Sequence, residues 1–85
     1  MTSVNPFIAV REGLGASQKE MAGATGVSFM TILQAEQGLI KRPLSYARAL
    51  QQGELIGSAE EILEQHKNWM CRQQGERLKA LKARA

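Results

Sequence analysis

The chain has 85 residues, 44% of them apolar and 22% charged, with a formal net charge of +3. A chain of that length buries only about 60% of its unfolded surface, enough for one small core and no second one. A single cysteine, Cys71, and a single histidine, His66, exclude an internal disulfide and leave too few ligands for a metal centre, so neither metal nor cofactor is expected. No apolar run approaches the roughly 20 residues of a membrane span, and the N-terminal stretch lacks the shape of a signal peptide, which sets the expectation of a cytoplasmic protein. All the acidic residues are glutamates, there is no paired-carboxylate spacing and no phosphate-binding glycine loop, so an enzyme is not expected. Valine and isoleucine are few and strand propensity is weak throughout, which predicts an all-α chain with a core of aliphatics and alanines.

The first helix is predicted from about Pro6 to Leu14, with Asn5 as its cap, Pro6 as its first residue and Phe7, Val10 and Leu14 at helical spacing. Gly13 and Gly15 break it. Ser17-x-x-Glu20 is a capping box, so a second helix starts at Gln18, carries Met21 and Ala22 inward and stops at Gly26. Ser28 caps a third helix that runs to about Gln37 and ends at Gly38, with Ile32 and Ala35 facing in and Val27 packed ahead of the cap. Leu39 to Arg42 reads as a loop, and Pro43 opens a fourth helix through Leu50 or Gln52. Ser58-x-x-Glu61 is a second capping box, and from Ala59 one helix continues almost to the end, about 39 Å if unbroken through Arg84. Gly75 is its weak point.

Charge is unevenly spread. From Glu54 to Gln65 the chain has acids and no base; from His66 to Ala85 Glu76 is the lone acid among many bases. Such a basic ending suits an anionic partner and equally a helix C-terminus, whose dipole favours cations.

The informative stretch is Ser17 to Gly38. Two short capped helices flank a turn at Gly26, with the small Ala22 four residues before it and Met21, Val27 and Ile32 spaced to share one core. A tight bihelical unit needs a small side chain where helices cross and a glycine where the backbone turns. This stretch resembles the helix-turn-helix of the phage repressor and Cro family, the XRE type, through Ser17-Gln18, Ala22, Gly26-Val27-Ser28, Thr31-Ile32 and Glu36-x-Gly38. The likeness extends to Arg11, where such repressors place an arginine paired with the glutamate matching Glu36, and to Lys41-Arg42-Pro43, similar to their basic loop. It covers about Pro6 to Gly53.

The resemblance implies a lambda-repressor-like fold of four short helices followed by a long C-terminal helix, with a DNA-binding domain over 1–53 and the C-terminal helix over 54–85. It implies phosphate contacts from Gln18, Thr31, Lys41 and Arg42, with Lys19 a further candidate, and base reading from Ser28, Phe29, Met30 and Gln34 in the major groove. Arg11 and Glu36 would form a structural ion pair. The family sets polar readers at several of these positions, whereas this chain has Phe29, Met30 and Leu33. Gln34 can pair bidentately with adenine; phenylalanine and methionine offer apolar contact to thymine methyl groups.

On the last helix Leu55, Ala59, Ile62, His66 and Trp69 recur at four-three-four-three spacing, with Leu63 and Met70 alongside. Two readings of this stripe stand: packing on its own domain, or a homodimer interface through Leu55, Ile62, Leu63, Trp69 and Met70. His66 is expected as a packed or surface histidine rather than a ligand, and Cys71 as a free thiol. The first functional expectation is a homodimeric, double-stranded-DNA-binding transcription regulator, a repressor, with no small-molecule substrate. The second, of another class, is a protein-interaction module of antitoxin or adaptor type, holding a protein partner through the Phe29/Met30 face or the C-terminal helix.

Overall fold

The computed structural model describes residues 4–84. These form α1 (Pro6–Gly13), α2 (Gln18–Thr25), α3 (Phe29–Gln37), α4 (Leu44–Gln52) and α5 (Ala59–Arg84), with no strand among the described residues. None of these helices is long and apolar enough to cross a membrane.

Side-chain caps fix where α1, α2, α3 and α5 begin, whereas α4 starts at Leu44, one residue after the expected Pro43, with no side-chain cap. Asn5 Oδ1 accepts the Phe7 N–H at 2.9 Å and starts α1. Both halves of the capping box at α2 are made: Ser17 Oγ accepts from Glu20 N at 3.1 Å, and Glu20 Oε1 accepts from Ser17 N at 3.0 Å. Ser28 Oγ accepts from Thr31 N at 3.3 Å at the start of α3. Ser58 Oγ accepts from Glu61 N at 3.3 Å, while Gln51 Oε1, reaching over from α4, takes the Ala59 N–H at 2.6 Å.

The helix ends are less uniform. α2 and α3 stop on Gly26 (φ +73°) and Gly38 (φ +75°), left-handed positions that glycine fills without a Cβ clash. α4 departs from this pattern. Gly53 keeps a negative φ, and Glu54 (φ +59°) takes the left-handed place while Leu55 N–H reaches back to Leu50 O at 2.9 Å.

The core is assembled from all five helices: Phe7, Met21, Ile32, Ala35, Tyr46, Ala47, Leu50, Ala59, Ile62 and Leu63. Phe7 is its centre, stacked on Tyr46 and edge-on to His66, each at a centroid distance of 5.1 Å. Edge-to-face and offset pairs of this kind add to the burial of the rings themselves. Leu14 is exposed, because α1 ends one residue before it and the chain turns away.

α5 packs on α4 and α1 and supplies residues to the same core, so segments 1–53 and 54–85 share one apolar interior. This corrects part of the dimer expectation. Ile62 and Leu63 are each 5% exposed, enclosed by their own subunit, and offer no surface to a second copy. Of the five residues expected at that interface, Leu55 is exposed and Trp69 and Met70 are half-buried. Beyond Gly75 the helix leaves the domain, and the molecule measures 46 × 23 × 21 Å.

Candidate nucleic-acid interface

α2 and α3 pack against each other across the turn at residues 26–28, with Ala22 and Val27 half-buried against the core. α3 then has two faces. Ile32, Ala35 and Glu36 are buried. On the opposite side Met30 and Gln37 are exposed and Leu33 and Gln34 half-exposed, with Phe29 and Ser28 exposed at its start. Phe29 keeps 40% and Met30 56% of its surface in contact with solvent, so both present apolar surface at the start of α3.

Gln37 was not singled out from sequence. Its signal was present: it follows Met30, Leu33 and Gln34 at the spacing that continues one helix face.

What holds α3 in place is a buried carboxylate. Glu36 accepts from Arg11 Nε at 2.8 Å, Arg11 Nη2 at 3.0 Å and Gln18 Nε2 at 3.0 Å, so α1, α2 and α3 meet at one side chain. Arg11 also donates Nη1 to Ala16 O at 3.1 Å, fixing the chain between α1 and α2. The two-pronged Arg11–Glu36 bond is charge-assisted and planar, a geometry a lysine cannot reproduce. The hydrogen bond to Glu36 holds the Arg11 guanidinium above its ordinary pKa. Gln18, expected at phosphate, thus has one amide N–H committed inside the protein, and its second N–H remains for another acceptor.

The C-terminal carbonyls of α3 are satisfied from two other elements. Asn5 Nδ2 donates to Ala35 O at 2.9 Å and to Glu36 O at 3.0 Å, and His66 Nε2 donates to Ala35 O at 3.0 Å. That bond assigns the proton to Nε2. His66 Nδ1 and the Tyr46 hydroxyl are buried with no hydrogen-bond partner among the described residues. Burial lowers the His66 pKa, the bond to Ala35 O partly opposing it. Burial, reinforced by the charge of Glu36 and opposed by Arg11, pushes the Tyr46 hydroxyl up to about 12. The His66 ring passes contact on to Trp69 at 5.8 Å, and the Trp69 ring lies over Gly38 so closely that an added Cβ would sit 2.9 Å from Cζ3.

Of the other expected backbone contacts, Lys19, Lys41 and Arg42 are exposed and Thr31 half-exposed. Arg42 is turned toward α5, where Nη2 pairs with Glu60 Oε1 at 3.2 Å on the open surface. Beside the end of α3 lies a groove of about 520 Å³ between Gln37, Gly38 and Lys41 on one side and Lys67, Met70 and Arg77 of α5 on the other. Among the described residues no group of His, Cys, Asp or Glu is arranged to hold a metal ion. The chain matches no protein-family model, no curated protein and no solved structure. The outward face of α3 is apolar and amide-bearing, with Lys41 beside its C-terminal end.

Proposed function

We propose that the chain is a sequence-specific, double-stranded-DNA-binding transcription regulator, a repressor with a lambda-repressor-like helix-turn-helix, working as a homodimer with α3 in the major groove. The observation that carries this reading is the mounting of α3: its exposed face of Ser28, Phe29, Met30 and Gln34 is backed by a buried Glu36 held by Arg11 and Gln18. A groove about 12 Å wide admits one helix, and reading bases requires that its side chains arrive in a fixed orientation.

In this reading Gln34 pairs with an adenine edge, and Gln37 extends the same face. Phe29 and Met30 lose their water against thymine methyl groups, so apolar contact supplies much of the discrimination. Lys19, Lys41, Arg42, Thr31 and the second amide N–H of Gln18 contact phosphates and set the register. Repression follows from occupying a promoter and needs no effector.

The test is selection of bound sequences from a random duplex library at near-physiological salt. Two thymine-containing half-sites about one helical turn apart are expected. Binding without enrichment that disappears as salt rises would be backbone attraction alone and would overturn the reading. The Phe29/Met30 face would then belong to a protein partner.

A further inference from the structure

α5 is tied to the end of α3 at two points. His66 Nε2 donates to Ala35 O at 3.0 Å, and the Trp69 ring lies over Gly38, 2.9 Å from where a Cβ would stand. The side chains on either side of Trp69 therefore hold a fixed place relative to the outward face of α3. They build one wall of the groove beside that helix end, and Gln37, Gly38 and Lys41 build the other.

Charge marks this groove. Its lining includes Lys41, Lys67 and Arg77 and no carboxylate. All three cations are exposed, and none is ion-paired among the described residues. Arg77 lies seven residues after Met70 and Arg84 seven after Arg77, so the same side of α5 continues as a cationic row beyond the groove. Lys67 and Arg77 are about 15 Å apart along the helix, and Arg84 is about 10 Å further on. Glu76 is next to Arg77 in sequence but about 100° around the helix from it, and Glu60, Glu61 and Glu64 precede the groove wall.

Dimensions and charge together select the occupant. α3 has nine residues, about 13 Å of helix, against a major groove about 12 Å wide. Set in that groove, α3 brings one end against a sugar–phosphate wall, and Gln37 and Lys41 stand at an end. Each strand carries one charge per about 3.4 Å of axis, so cations spaced at 10–15 Å can meet it repeatedly. The core of a protein–protein interface, by contrast, is depleted of lysine.

We infer that the groove between the end of α3 and α5 receives the sugar–phosphate backbone of duplex DNA, with Lys67 and Arg77 joining Lys41 as phosphate contacts and Arg84 extending the row. α5 then adds affinity and fixes the approach of α3 without reading bases. This deepens the regulator reading by giving α5 a phosphate contact of its own, and it rests on duplex DNA being the partner in that reading.

The salt dependence of duplex binding by the full chain tests it. K67Q/R77Q removes two exposed charges from the groove side; R72Q/K79Q removes two exposed charges from the opposite side of the same helix and is the control. In log affinity against log salt, K67Q/R77Q is expected to lose about 2 from the slope, near 0.9 per phosphate contact. It should also weaken binding by a similar factor on the selected duplex and on one of unrelated sequence. R72Q/K79Q is expected to lose less than about 0.5, since its charges meet no phosphate. A wild-type slope in K67Q/R77Q would overturn the inference and leave the groove to an acidic protein segment. Equal losses in the two variants would also overturn it, reducing the effect to net charge. So would an altered selected sequence in K67Q/R77Q, which would make these side chains base readers. A wild type that selects a defined sequence, with the slope of K67Q/R77Q unchanged, fails this inference alone. A wild type that selects no sequence, with the slope lowered only in K67Q/R77Q, keeps the phosphate contact and fails the regulator reading. Absence of any duplex binding overturns both.

Discussion

Two arginine–glutamate pairs sit at opposite ends of the loop region that follows α3, and they do different things with the same chemistry. Arg11–Glu36 is made with side chains 18% and 4% exposed, at 2.8 Å, with Gln18 as a third partner. Arg42–Glu60 is made with side chains 59% and 75% exposed, at 3.2 Å. In the first the carboxylate has left water, and its donors are what make its burial tolerable. In the second both charges stay solvated, and holding two long side chains together costs about as much entropy as the attraction returns. Position in the fold, rather than the identity of the pair, decides which one organises α3.

The largest expected effect breaks the buried pair. Glu36→Ala leaves Arg11 partly buried without its partner and removes the side-chain bonds that tie α3 to Arg11 and Gln18, at about 3–5 kcal/mol in chemical denaturation. DNA selectivity should fall with it, since Met30 and Gln34 then sit on a helix that is no longer fixed.

A smaller, pH-dependent effect comes from the other buried polar groups behind α3. His66 has a lowered pKa in the folded chain. The unfolded chain therefore takes up a proton first as pH falls through about 6.5. Stability is complete above that pH and declines below it, and His66→Gln should flatten this decline. Tyr46 acts on the alkaline side. With its pKa raised from 10.0 to about 12, stability is complete below pH 10 and is lost as pH rises between those values. Thermal melts across both ranges measure the two limbs.

The smallest effect is on the surface pair. Arg42→Ala should change stability by less than about 0.5 kcal/mol, with what remains vanishing at high salt. The same variant should weaken DNA binding at low salt by a similar factor for all sequences, as loss of a phosphate contact does. An Arg42→Ala loss as large as that of Glu36→Ala would contradict the distinction between the two pairs.

The local signals were strong, and the starts of α1, α2, α3 and α5 followed from them. Asn5, Ser17, Ser28 and Ser58 each supply an oxygen to a backbone N–H within three residues, a contact that needs no tertiary partner. The ends at Gly26 and Gly38 were equally legible. Glu54 was not: the adjacent Gly53 carries the obvious signal, and only the path from α4 to α5 puts the left-handed residue one place later. The stripe on α5 was visible, but periodicity says only that a face is apolar and leaves open what covers it. For Ile62 and Leu63 the cover is α1 and α4 of the same chain; for Leu78 and Leu81 it is not.

The sequence by itself determined what depends on neighbours along the chain: five helices, their caps, the turn at Gly26, and the basic, lightly apolar ending. Tertiary structure alone decided how distant polar groups share a carboxylate or a carbonyl. Gln18 turns inward to Glu36 because α2 crosses the end of α3 there, and Asn5 and His66 converge on Ala35 O because α1 and α5 close over the same helix terminus. Such convergence joins residues 18 to 31 positions apart, and no spacing rule encodes it. It is fixed only when burial removes water and each buried donor and acceptor must find its partner within the fold.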